Sequence, residues 1–425
     1  LWQAFFHTGI ITTKQLRLNK IIYTNNKEKD TIEKELKVIC DNVFEFEDGS
    51  EFFNKDHNYS YDFDIFGKGS VYQYINRTIT KFGSQTLCNW LESPTNDEEI
   101  LFRQEAVKEL SESPEYVLSF ISNIADRKHD IDIGSMVDKI AEIKFSQFKY
   151  IVTAILIGIN LTILTLFLLF HSFSYLYLLL ILSLNYFIVY CLLWNKHIKA
   201  NKQFEDCSQE LDKYAHLFYI MENKKFYSKK LMDFQGNISS SDKKTSIAIR
   251  EFAKLNKRLY YRQNLFFQLI INTFIYFDIF QIKSIHYWAN ENEKNIQPWF
   301  KSLGEFEALI CFANLLINNP EWSFPKIDTD AKDCLFENVG HPLISNTKRV
   351  VNNFYTKTGG EFSIITGSNM AGKSTFMRTI GINIILGLSG APVCASKSKI
   401  TNVKVISQMR IQDSLTNNVS TFQAE

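Results

Sequence analysis

Chain breakers are scarce: 425 residues carry only 7 Pro and 17 Gly. So few interruptions leave room for long helices. Charge of one sign is lacking as well. Lys+Arg is 47 and Asp+Glu is 46, so the net charge is +1, and bulk charge argues neither for nor against nucleic acid. Any DNA contact would need a local basic surface. The seven cysteines, Cys40, Cys88, Cys191, Cys207, Cys311, Cys334 and Cys394, form no C-x-x-C pair. That argues against metal ligation and a disulfide framework, and it fits a reducing compartment. No internal repeat or low-complexity tail is present. The length suits two or three domains with at least one large core.

The longest absence is local. Between Tyr150 and Asn195 there is no Asp, Glu, Lys or Arg, in a chain that is 22% charged. The run divides at His171-Ser-Phe-Ser174 into Tyr150–Phe170 and Tyr175–Trp194. At about 1.5 Å per residue, each half would span roughly 30 Å, the thickness of a bilayer core. Lys144 and Lys149 precede the run; Lys196, Lys199 and Lys202 follow it; the tip has no Lys or Arg. The positive-inside rule therefore predicts a transmembrane hairpin with both flanks in the cytoplasm. A buried helical hairpin in a large core is the competing reading. A second apolar stretch, Leu265–Phe280, is interrupted by Gln268, Asn272 and Asp278, which favours a core helix over a third span.

Against this background one motif carries chemistry. Gly367-Ser-Asn-Met-Ala-Gly-Lys-Ser374 is a complete G-x-x-x-x-G-K-[ST] phosphate-binding loop. Its glycines let backbone N–H groups approach phosphate oxygens. Lys373 reaches the β- and γ-phosphates, and the Ser374 hydroxyl can ligate Mg²⁺. Glu361–Thr366 reads as a β-rich run into the loop and Ser374–Leu388 as an apolar helix, so the phosphates would sit at a helix N-terminus. The predicted nucleotide contacts are Gly367, Ser368, Asn369, Met370, Ala371, Gly372, Lys373, Ser374 and Thr375.

Elsewhere the pattern is helical. Residues 1–57 are mixed, with Asn25–Asp30 as a turn. Tyr61–Leu110 has helical periodicity, broken at Ser93–Asp97, which supplies an N-cap for a helix over Glu98–Leu110. Asp126–Asp130 is a charged linker. Ala200–Glu222, Ile247–Leu269 and Phe306–Ile317 read as helices, and Gln235–Lys243 as a polar loop. Pro320–Pro325 marks the border of the nucleotide domain. The chain starts at Leu1 and ends soon after the loop, before any strand ending in a metal-positioning Asp, so we expect a fragment.

The residues around the loop resemble the MutS family, the ATPases of DNA mismatch recognition. Asn369-Met370 inside the loop and Ser374-Thr-Phe-Met-Arg378 after it carry the likeness. So do Gly340-His-Pro-Leu343, Gly390–Ala395, and Asp413-Ser-Leu415 followed by Ser420–Glu425. A distant block is also similar to the family's helical core: Asn76–Thr80, Gly83, Leu87, Trp90-Leu91, Pro94, Arg103 and Ala106-Val107. Departures are Ser368, where the family often has Pro, and Asn418-Val419, where it usually has Gly and a basic residue. No mismatch-reading domain or Phe-x-Glu wedge precedes the core. Leu388-Ser-Gly390 matches the start of a transporter signature but lies too close to Lys373 to act as one.

The resemblance implies ATP and Mg²⁺ as cofactors and a homodimer with composite sites. Ser420 would reach the partner's nucleotide in trans, and Asn369 would lie beside the γ-phosphate. Lys373, Asn369 and Ser420 are the implied catalytic residues, and Ser374 the implied Mg²⁺ ligand. The implied DNA partner is a mismatched or branched duplex. The expected fold is mixed: a mainly α-helical core and lever region with a two-helix transmembrane hairpin, then a partial α/β P-loop ATPase domain. The expected segments are 1–57 of unclear fold, 58–145 helical core, 146–198 hairpin, 199–328 lever or connector and 329–425 ATPase. Two functions remain open at this point. One is a membrane-anchored MutS-like ATPase engaging DNA, with core and ATPase regions facing the cytoplasm and residues 150–194 in the membrane. The other is a membrane-tethered ATP-driven switch acting on a protein partner without DNA.

Overall fold

A computed structural model describes residues 2–41, 45–123, 147–170, 183–184, 187, 207–239, 243–260, 277–328, 333–357, 361–368 and 371–409. In chain order the helices are α1 (Trp2–Leu36), α2 (Val71–Ile75), α3 (Lys81–Glu92), α4 (Asp97–Ser111), α5 (Pro114–Ile121), α6 (Gln147–Phe170), α7 (Ser208–Asn223), α8 (Lys229–Ile238), α9 (Thr245–Tyr260), α10 (Phe277–Asn318) and α11 (Lys373–Ser389). The strands are β1 (Lys326–Ile327), β2 (Asp333–Val339), β3 (Asn352–Lys357) and β4 (Lys397–Ile400). The chain divides into two compact units, one of residues 1–127, 226–234 and 302–425, the other of residues 128–225 and 235–301.

In the first unit the helix starts follow from local chemistry. The side chains of Ser70, Thr80 and Asn96 accept from the backbone N–H groups of Gln73, Gly83 and Glu99, capping α2, α3 and α4. Asp97, Glu98 and Glu99 add negative charge to the first turn of α4, where the helix dipole favours it. Pro114 opens α5, a position that needs no N–H donor. The core collects around α10, whose Phe306 meets Phe120 edge-on at 5.2 Å and Phe226 at 5.8 Å. Burying each such ring stabilises the fold by about 1.5–3 kcal/mol. Buried Glu307 on the same helix accepts from the N–H groups of Ile79 and Thr80 at 2.8 and 3.0 Å. Arg77 forms a buried ion pair with Glu35 of α1, and Asn318 donates to that carboxylate at 2.8 Å. The strands form one small mixed sheet ordered β1-β4-β2-β3, in which only β1 and β4 are parallel.

In the second unit α7 and α9 pack together. Trp288 of α10 stacks on Phe252 of α9 at 4.1 Å and donates from its indole N–H to the Ala248 carbonyl at 2.8 Å. Tyr214 and Phe218 of α7 meet Phe300 edge-on at 5.1 and 5.7 Å. The Glu222 carboxylate accepts from the Ser246 N–H at 2.9 Å.

Several expectations are corrected. The transmembrane hairpin is overturned: among the described residues no helix is long and apolar enough to cross a membrane. Its first half is α6, whose Ile151, Ile155, Ile159 and Leu161 are exposed. Asn160 in mid-helix is buried, and the Thr162 and Thr165 hydroxyls donate to the carbonyls of Ile159 and Thr162. Within the second half, Tyr175–Trp194, only residues 183, 184 and 187 are described. The membrane localisation falls with the hairpin, as does the membrane as a partner through residues 150–194. The fold is mostly helical with a small sheet, without the spanning element.

Smaller differences have local causes. Asn25–Asp30 is no turn; α1 runs through it, since nothing there breaks a helix. Gln235–Ile238 completes α8 instead of opening a loop. Among the described residues, 361–366 pair with no neighbouring strand, so the run before the phosphate loop does not form part of the sheet. The linker Asp126–Asp130 and residues 261–276 lie outside the described residues.

Candidate functional site

The phosphate loop sits at the N-terminus of α11. Gly372 is its N-cap, with φ 85° and ψ 11°. That left-handed conformation suits a residue without Cβ and turns the chain into the helix. No side chain caps α11, so its first backbone N–H groups remain donors for an external anion. The Lys373 ammonium donates to the carbonyls of Gly367 and Ser368, each at 2.7 Å, and folds back over the loop. The Ala371 N–H donates to the Ser368 carbonyl at 3.3 Å.

A cleft of about 510 Å³ opens beside the loop. Its lining includes Ala371, Gly372, Lys373 and Thr375 of the loop and helix start, the apolar Ile344, Val350, Ile365 and Phe376, and the polar His341, Lys348 and Thr379. Among the predicted contacts, these four loop residues therefore gather at the cleft. Gly367 and Ser368 reach Lys373 through their carbonyls and do not line it. Ser374 is exposed and also stands outside the lining. Asn369, Met370 and Ser420 lie outside the described residues, together with Asp413–Glu425.

The structure adds residues that the motif did not reveal. Burial, followed by the charges of Arg378 and Arg349, lowers the His341 pKa to about 4. The ring is neutral at pH 7, and its Nδ1 accepts from the Leu343 N–H at 3.3 Å. Such a weak base has little capacity to activate water, which agrees with a role in shaping the loop. Lys348 and Val350 come from an irregular segment with no periodic pattern, so sequence spacing held no signal for them.

Hydrogen bonds along its length hold α11 in place. Buried Asn383 donates to the Gly340 carbonyl at 3.1 Å and accepts from the Cys394 N–H at 2.7 Å, tying the helix to the His341 loop. Arg378 donates to the Asp62 carbonyl at 2.9 Å. At the far end the Arg103 guanidinium donates to the Ser389 carbonyl at 3.2 Å and stacks over Trp90 at 3.7 Å. The Ser389 hydroxyl donates to the Trp90 carbonyl at 2.7 Å. Residues of the distant helical block, Trp90 and Arg103, thus support the C-terminal end of the loop's own helix.

The Ser374 hydroxyl is the loop oxygen that the motif offers to Mg²⁺. Among the described residues no cluster of three or more His, Cys, Asp or Glu could hold a metal. A lone hydroxyl fits Mg²⁺, which keeps several waters and takes further ligands from nucleotide phosphates.

Comparison with known proteins gives the same direction. Residues 53–313 match the model of MutS domain III, and residues 363–425 match that of MutS domain V. The DNA mismatch repair protein MutS of Cereibacter sphaeroides is 34% identical over 134 residues, 29% of this chain and 15% of that protein. MutS of Methanococcoides burtonii is 34% identical over 128 residues, 29% of this chain and 14% of the relative. Endonuclease MutS2 of Streptococcus pyogenes serotype M49 is 34% identical over 112 residues, 26% of this chain and 14% of the relative. The matched stretch thus spans about one-seventh of each relative's length. With the domain III match covering more than half of the chain and the domain V match containing the phosphate loop, the chain belongs to the MutS family.

Proposed function

We propose that this chain binds ATP with Mg²⁺ in the cleft beside α11 and belongs to an ATPase that works as a dimer on DNA, in the manner of mismatch repair. The observation that carries this reading is the placement of Lys373 at an uncapped helix N-terminus, beside a cleft of about 510 Å³. The cation and the free N–H groups suit a polyphosphate. The apolar lining residues Ile344, Val350 and Phe376 suit the nucleoside. Lys373 releases the Gly367 and Ser368 carbonyls and turns to the β- and γ-phosphates as nucleotide enters. Ser374 would hold Mg²⁺ through its hydroxyl, and the ion would supply charge neutralisation on the phosphate oxygens. Lys373 stabilises charge that grows on the transferred phosphoryl group. Asn369 orients water, and Ser420 completes the partner's site in trans. DNA, a mismatched or branched duplex, is engaged through the helical region that matches domain III.

The test is Lys373→Ala, with ATP binding followed by calorimetry. We expect loss of tight binding with the thermal transition unchanged. Unaltered nucleotide affinity in a folded Lys373→Ala protein would overturn the assignment of the site.

A further inference from the structure

Helix α1 shows two faces. Thr31 and Glu35 are buried, as is Val38 in the π-helical turn Lys37–Asp41 that follows the helix, and this face docks through the Glu35–Arg77 ion pair. One residue further round, a rotation of about 100°, lies a second face. It carries Leu18, Ile22, Asn25, Lys29, Ile32 and Leu36, all exposed. The apolar members are strongly so: Leu18 59%, Ile22 55%, Ile32 42% and Leu36 51%. A row of large apolar side chains left in water marks an interaction surface.

The spacing identifies the kind of partner. The six positions are separated by 4, 3, 4, 3 and 4 residues, the alternation of a coiled-coil seam. Their order is also palindromic. Read from either end, it runs Leu, Ile, polar, polar, Ile, Leu. Turned end for end about its midpoint near Lys27, the seam therefore matches itself. Leu18 meets Leu36, Ile22 meets Ile32, and the Asn25 side-chain carbonyl meets the Lys29 ammonium. A seam in which residue i contacts j while j contacts i is the signature of a two-fold interface between identical chains. A parallel arrangement would place Lys29 against Lys29 and lose this complementarity. The ion pair between Lys29 and Glu33, 3.7 Å apart with both side chains largely exposed, is a weak surface pair and no obstacle to the new contact.

We propose that α1 is a self-association helix, which pairs antiparallel with α1 of a second copy of this chain through Leu18, Ile22, Asn25, Lys29, Ile32 and Leu36. The buried polar pair fixes register and direction, because any slip would set Asn25 or Lys29 against an apolar side chain. The interface is separate from the phosphate-loop cleft and does not depend on nucleotide.

Site-specific cross-linking tests the proposal. In a Cys40→Ser background, which removes an exposed cysteine of the same region, Leu18→Cys and Leu36→Cys proteins are oxidised singly and as a mixture. We expect a disulfide-linked dimer from the mixture alone. Self-linking of Leu18→Cys would establish a parallel pairing and overturn the proposal, and no linking in any sample would overturn it too. Ile22→Asp with Ile32→Asp provides a second measure, since both residues are exposed and the fold tolerates the change. The cross-link should disappear while the thermal transition stays; a persistent cross-link would count against the seam.

Discussion

Asn383 offers the most direct test of how the fold holds the candidate site. Its amide is fully buried in α11 and satisfies two backbone groups outside the helix, the Gly340 carbonyl and the Cys394 N–H. Asn383→Ala leaves both without that partner. Each unsatisfied buried group costs about 1–3 kcal/mol, giving roughly 2–6 kcal/mol in all. The Gly340 N–H still donates to the Cys394 carbonyl at 2.9 Å, so the loop stays tethered and the loss belongs near the lower end, about 2–3 kcal/mol. Urea denaturation followed by tryptophan fluorescence should show a lower midpoint with an unchanged slope. Because the released segment carries His341, one of the cleft residues, ATP affinity should fall in the folded variant. A loss below about 0.5 kcal/mol, the level of an indifferent surface change, together with normal ATP affinity would refute the reasoning.

Other outcomes follow from the same geometry. His341 has a folded pKa of about 4 against an ordinary value of 6.5. Its neutral form therefore favours the folded state above pH 6.5, and that contribution is lost as pH falls from 6.5 towards 4, where the unfolded chain takes up the proton first. His341→Gln should flatten this part of the stability–pH curve; an unchanged slope would contradict the assignment. Arg77→Ala leaves the buried Glu35 carboxylate uncompensated and should cost about 3–5 kcal/mol, with α1 becoming open to proteolysis. Arg77→Met combined with Glu35→Leu should restore most of that stability, and failure to do so would mean that the ion pair is not what docks the helix.

The helices were most legible where caps and periodicity agreed. Asn96 before three acidic residues, and Gly372 and Gly390 around an apolar run, set the limits of α4 and α11. Composition misled where it stood without packing. The run at 150–194 lacks charged residues, yet among the described residues no helix is long and apolar enough to cross a membrane, and α6 holds a buried Asn160 in its middle. The run before the phosphate loop had β propensity, but a strand exists only when a neighbour accepts its hydrogen bonds.

Sequence by itself determined the phosphate loop and the family resemblance, because each is a matter of residue type at fixed spacing; the helix of α1 was not legible, since Asn25–Asp30 read as a turn. Tertiary structure decided what surrounds them. It brought His341, Lys348 and Val350 to the cleft, set Arg103 and Trp90 beneath the far end of the loop's helix, and chose which face of α1 docks and which remains in water. Those placements depend on contacts between residues hundreds of positions apart, such as Arg103 with Ser389. Their energies come from burial and from satisfying buried polar groups, terms that exist only once the chain has closed on itself.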